Sequence, residues 1–135
     1  MESQTHINLV NRLIVYAKGI LPESDHIMIQ SDSAGNTGST RVVGNYIPDL
    51  YFCCKDDLII GEAKNIDDFD RKHSRDQFES YICECQVFDG KSKLLVAVPW
   101  QLMCTAKNYF KRLKQKKELQ FEIVIINELG KETKI

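Results

Sequence analysis

Residues 47–64 read Ile47-Pro48-Asp49-Leu50-Tyr51-Phe52-Cys53-Cys54-Lys55-Asp56-Asp57-Leu58-Ile59-Ile60-Gly61-Glu62-Ala63-Lys64. Two β-rich runs, Arg41 to Phe52 and Asp57 to Lys64, flank the polar Lys55-Asp56 break, which predicts a β-hairpin. Side chains alternate across a strand, so Leu58, Ile60, Glu62 and Lys64 share one face. Ile59, Gly61 and Ala63 take the other. Two charges at the end of an otherwise apolar face mean either that the strand leaves the core there or that the charges have a task.

Outward from the hairpin, Ile7, Leu9, Val10, Leu13, Ile14 and Ala17 recur at helical spacing, with Gly19 and Pro22 as a stop. A helix is therefore expected over 6–18. His26 to Gln30 reads as a short alternating β segment. Ser31 to Thr40 reads as a mobile, Gly-bearing loop, long enough to be a substrate-side flap. Asp67 to Val87 reads as a helix after a charged, loose start. Lys93 to Trp100 and Phe121 to Asn127 are apolar runs of the kind that strands buried on both faces show. Gln101 to Leu119 between them reads as a basic-surfaced helix. The expected order is α-β-β-β-α-β-α-β, an α/β fold with a mixed sheet flanked by helices, since a βαβ crossover requires a parallel pair.

The length of 135 residues fits a single domain over 1–135. With 43% apolar and 27% charged residues the chain is that of an ordinary globular protein, neither disordered nor fibrous. No apolar run approaches the roughly 20 residues that cross a bilayer. The first residues lack the basic and apolar regions of a secretory signal, so a cytoplasmic location is expected. The five cysteines, 53, 54, 83, 85 and 104, have neither zinc nor disulfide spacing and read as small buried hydrophobes. Net charge is -1, but residues 1–90 balance to -7 and residues 91–135 to +6. An acidic body with a basic last third can hold a cation in one place and phosphates in another.

The hairpin offers that cation a site. Asp49, on the first strand, returns to the neighbourhood of Glu62 on the second. Two carboxylates and a backbone carbonyl suffice for Mg2+, which keeps several waters. In phosphodiester hydrolysis such a cation polarises the phosphoryl oxygen and activates a water. Lys64 can position or deprotonate the attacking water and stabilise the phosphorane, and its charge is expected to keep both carboxylates ionised.

Pro48-Asp49, twelve intervening residues and Glu62-Ala63-Lys64 resemble the signature of the PD-(D/E)XK nuclease superfamily, which includes restriction endonucleases, Holliday-junction resolvases and phage-type exonucleases. The resemblance spans about residues 6–100 and implies a restriction-endonuclease-like α-β-β-β-α-β core with the motif on the second and third strands. It implies a Mg2+-dependent nuclease, most naturally acting on DNA, with Mn2+ able to substitute. Asp49, Glu62 and the Ala63 carbonyl would be the metal ligands, and Asp49, Glu62, Lys64 and Gln77 the catalytic set. Gln77 and Tyr81, four apart on one helical face, are similar to the Q-x3-Y element of the exonuclease-like branch. That element implies a hydrogen bond from Gln77 to water or phosphate, with Arg75 or His73 near the backbone. An upstream ligand, common in the family, is open here among His6, Glu23 and Asp25, with Glu2 a remoter candidate.

Lys107, Lys111, Arg112, Lys114, Lys116 and Lys117 crowd one late helix. Of these, Lys107, Lys111 and Lys114, with Arg75, are the candidate phosphate contacts. Tyr109, Phe110 and Leu113 are expected to face the sheet, and Trp100 to be core or rim. A homodimer is expected, since small nucleases often need two sites to cut both strands. The rival reading is a catalytically inactive module on the same fold that binds nucleic acid or protein. A parallel-sheet small-molecule enzyme is disfavoured, because no Gly-rich phosphate loop follows a strand and Gly35 and Gly38 lie in a loop with no helix after them.

Overall fold

The computed structural model describes residues 3–31 and 42–135. The loop reading of 31–40 falls, beyond Ser31, outside the described residues. Helix α1 (Gln4–Ile20) is followed by a 3-10 turn at Glu23–Met28, β1 (Gln30–Ser31), β2 (Leu50–Cys53), β3 (Asp57–Ala63) and α2 (Lys72–Val87). Then come β4 (Lys91–Ala97), a 3-10 turn at Trp100–Leu102, α3 (Met103–Lys117), β5 (Glu122–Ile126) and β6 (Glu132–Lys134). The six strands form one sheet in sequence order. β1, β2 and β3 run antiparallel, β3, β4 and β5 are parallel, and β6 closes antiparallel to β5. The expected mixed sheet with flanking helices is present.

Alternation along β3 divides the core as the sequence predicts. Ile59 and Ala63 pack with Leu9, Val10, Leu13 and Ala17 of α1 on one face. Leu58 and Ile60 pack with Phe78, Tyr81 and Ile82 of α2 and Phe110 of α3 on the other. Gly61 lets α1 approach: a Cβ there would lie 3.1 Å from Leu50 Cβ and 3.4 Å from a Leu13 methyl. α1 starts before residue 6 because Ser3 Oγ accepts a hydrogen bond from the His6 amide, satisfying an orphan donor of the first turn.

Several expectations are corrected. The β reading of His26 to Gln30 holds only at Gln30, which opens β1; His26 to Met28 belong to the 3-10 turn, because His26 Nε2 contacts the Lys18 and Leu21 carbonyls at 2.8 and 3.1 Å and gathers the chain against the end of α1. Ile27 there is exposed, so its alternation does not reflect burial. Arg41 lies outside the described residues, and the rest of the Arg41 to Phe52 run shrinks to β2: Gly44 at φ 63° turns the chain between the bridged Val43 and Tyr46, and Pro48 has no N–H for a ladder. The strand expected to end at Trp100 ends at Ala97, and Pro99 precedes a helical turn. β6, short and polar, has no counterpart in the expected order.

The cysteine expectation also fails for most positions. All five thiols are free, but only Cys85 is buried, and burial pushes its pKa up to about 12. Cys53, Cys83 and Cys104 are exposed and Cys54 is half-buried. Cys83 lies one turn from the exposed Glu79 on the outer face of α2, and Cys53 sits at the last position of β2. Phe110 is fully buried and Trp100 is a rim residue, 59% exposed. No helix among the described residues is long and apolar enough to cross a membrane.

Candidate active site

β3 does not leave the core where its charges begin. Asp49, Glu62 and Lys64 are all buried, as is Gln77. The hairpin brings the first two together: Cys54 N–H donates to the Asp57 carbonyl at 2.9 Å, and the register Leu50↔Gly61 sets Asp49 opposite Glu62. Asp49 lies just past the last paired residue, where Ala63 N–H has no strand partner. The Ala63 amide donates to Asp49 Oδ2 at 2.9 Å instead. N–H and C=O of one extended residue point to the same strand edge, so the Ala63 carbonyl lies on the Asp49 side. On the other edge, Lys64 N–H donates to the Ala97 carbonyl at 2.9 Å, carrying β3–β4 pairing up to the lysine.

The side chains of Glu62 and Lys64 reach α2. Tyr81 OH donates to Glu62 Oε1 at 3.0 Å, and Lys64 Nζ donates to Gln77 Oε1 and lies 3.6 Å from Glu62 Oε2. Gln77 and Tyr81 stand one helical turn apart on the sheet-facing side of α2, as their spacing predicts. The role of Tyr81 against Glu62 is the less legible one, since a buried aromatic on this face also satisfies simple packing.

Electrostatics differ from expectation in one respect. Burial first, then the adjacent Asp49 charge, push the Glu62 carboxyl well above the usual carboxylate range, against the lowering pull of Lys64 and the Tyr81 hydroxyl. Lys64 pulls the Glu62 pKa down, as its proximity predicts, but desolvation outweighs it. Tyr81 is in turn pushed up by burial and by the Glu62 charge.

Of the upstream candidates, His6 reaches the site, with Nε2 at 3.5 Å from Asp49 Oδ1. Glu23 and Asp25 follow the far end of α1, roughly 20 Å along the helix axis from His6. Glu2 lies outside the described residues. His73 packs edge-on to Tyr46, ring centres 5.4 Å apart, one turn before Gln77. Arg75 is on the outer side of α2, 3.3 Å from Asp70. Lys107, Lys111 and Lys114 belong to α3, which packs on β5, so α2 stands between them and the carboxyl pair. Lys114 Nζ donates to the Ile135 carbonyl at 2.6 Å.

Among the described residues, no three His, Cys, Asp or Glu side chains gather in a metal-binding cluster. That disfavours a zinc cage, which takes three or four such ligands. Mg2+ asks for less: one or two carboxylates, a carbonyl and its own waters. A buried carboxyl whose ionisation is opposed by burial and by the carboxylate beside it is the kind of donor a divalent cation relieves, so Asp49, Glu62 and the Ala63 carbonyl fit Mg2+ or Mn2+. No protein family, curated protein or solved structure matches the chain.

Proposed function

We propose that the chain is a divalent-metal-dependent nuclease of the PD-(D/E)XK kind, hydrolysing phosphodiester bonds, most naturally in DNA. The observation that carries this reading is the buried Asp49–Glu62 pair at the end of a hairpin, with Lys64 beside it and clasped by Gln77. The order α1, β1–β2–β3, α2, β4 suits the restriction-endonuclease-like core that the motif implies. Asp49, Glu62 and the Ala63 carbonyl would hold Mg2+, with His6 a candidate to orient Asp49. The metal, when bound, supplies Lewis-acid polarisation of the phosphoryl oxygen and a more acidic water.

The chain's own contribution is positional. Gln77 accepts a hydrogen bond from Lys64 and fixes the ammonium over the carboxyl pair, where a phosphoryl oxygen gaining charge in the transition state meets a preorganised cation. Tyr81 holds one Glu62 oxygen and leaves the other toward Lys64. Purified protein should nick DNA with Mg2+ or Mn2+ and stop with chelator. Glu62→Ala and Lys64→Ala should each reduce kcat by at least about a hundredfold, the scale of removing one group that stabilises the transition state. Cleavage surviving in both folded variants refutes the proposal.

One observation favours the rival reading of a non-catalytic module. Lys64, Glu62, Gln77 and Tyr81 satisfy one another without any ion, as a structural ion pair does. Calorimetry separates the two, because a nuclease site takes up Mn2+ and loses it in Asp49→Ala, whereas a closed structural pair binds none.

A further inference from the structure

We propose, resting on the nuclease reading, that a cleft beside the carboxyl pair receives an unpaired nucleobase, so that the substrate is single-stranded and not intact duplex. The cleft measures about 410 Å³. Two of its walls are one residue on from the site: Asn65 follows Lys64, and Thr5 precedes His6, whose ring lies 3.5 Å from Asp49. A nucleotide whose phosphate sits at Glu62 and Lys64 therefore has this space within reach.

Its lining is wrong for phosphate. No Lys, Arg or His lines the cleft, and the acidic residues Asp67 and Glu128 do. The lining suits a base, which offers hydrogen-bonding edges and flat apolar faces. Ser3, Thr5, Asn65 and Gln101 supply neutral donors and acceptors, and Ile66 with Pro99 supplies apolar surface. Ile66 is 53% exposed, a large apolar side chain left in water at the rim of a charged pocket.

The surrounding charges point the same way. Duplex binding depends on cations that neutralise phosphates along the backbone, while its base edges stay stacked inside. At the start of α2 the cations are already engaged. Lys72 lies 2.7 Å from Asp76 and Arg75 3.3 Å from Asp70, and Arg71 Nε donates to the Asp67 carbonyl at 2.8 Å. Single strands, whose bases are free to stack and hydrogen-bond, need fewer such contacts.

The test compares one oligonucleotide as a single strand and as a duplex, by Mg2+-dependent cleavage and by fluorescence anisotropy of binding. The single strand should be bound and cut about tenfold better, the scale of one stacked base. Thr5→Tyr, which fills the cleft from an exposed helix position, and Gln101→Ala should each raise KM on the single strand with kcat little changed. Equal handling of duplex and single strand, or an unchanged KM in both variants, overturns the proposal. If nothing is cut, the nuclease reading fails by itself. Binding then still decides the cleft: a single-strand preference lost in Thr5→Tyr supports it, and equal binding of the two forms refutes it.

Discussion

The Glu62 carboxyl lies between a like charge on the strand opposite and an opposite charge two residues along its own strand, and burial decides the contest. Its pKa in the folded protein is raised above the unfolded value. The stability linked to it is therefore fully present below the unfolded pKa, about 4.3, and is lost as pH rises through the folded pKa. Gln in its place keeps an oxygen for the Tyr81 hydroxyl and cannot ionise. With chelator present, the stability of the natural protein should fall relative to Glu62→Gln between about pH 4 and about pH 8, the direction set by the raised carboxyl. Urea unfolding at the two pH values measures the gap, and parallel curves would show that Glu62 ionises freely. Added Mg2+ should restore the natural protein and leave the variant unmoved, since only a ligand held by the folded state shifts its stability.

At the scale of elements, β3 ties sequence to site, and Gly61 is where its two faces meet different demands. A side chain there would press on Leu50 and Leu13 while its neighbour Glu62 must stay in register with Asp49. Gly61→Val should cost about 1–3 kcal/mol by overpacking, read as a fall in denaturation midpoint, and should weaken Mn2+ uptake because α1 carries His6. A variant as stable as the parent would mean that α1 yields freely. The legibility of each element follows from the same physics. β3, β4, β5 and α2 are readable because buried strands and amphipathic helices write their burial into apolar spacing. The carboxyl pair is readable because a tight hairpin turn fixes register, and with it which residues stand opposite. The turn at Glu23–Met28 is not, since a histidine bridging to the end of α1 is a tertiary contact that leaves no periodic trace. Nor is β6, whose Glu-Thr-Lys sequence pairs through backbone alone. The direction of the Glu62 shift escapes for a related reason: spacing shows that Lys64 is near Glu62, while the depth that lets desolvation win belongs to the packed sheet.

Across the whole molecule, the charge asymmetry divides two tasks that the sequence alone places together. The basic residues of α3 sit on the helix that covers β5, and the buried carboxyl pair lies where β2 and β3 meet, with α2 over β3 and β4. A helix is about 10–12 Å across with its side chains, and α2 packs on β3 and β4 while α3 packs on β5, so Lys107 and Lys111 stand a helix away from Glu62. They can grip only a strand that continues past α2. Reversing both charges, Lys107→Glu with Lys111→Glu, should leave cleavage of a short oligonucleotide that spans only the pocket unchanged. On a long single strand the same change should raise KM, and the dependence of log affinity on log salt should flatten by about 0.7 for each phosphate no longer neutralised. Titrations of both substrates across a salt series read the two effects separately. Weaker cleavage of the short substrate would mean that α3 acts on the pocket directly. An unchanged slope on the long one would make the basic helix a solvated face with no part in binding, and the strand would then have to leave the pocket over α1.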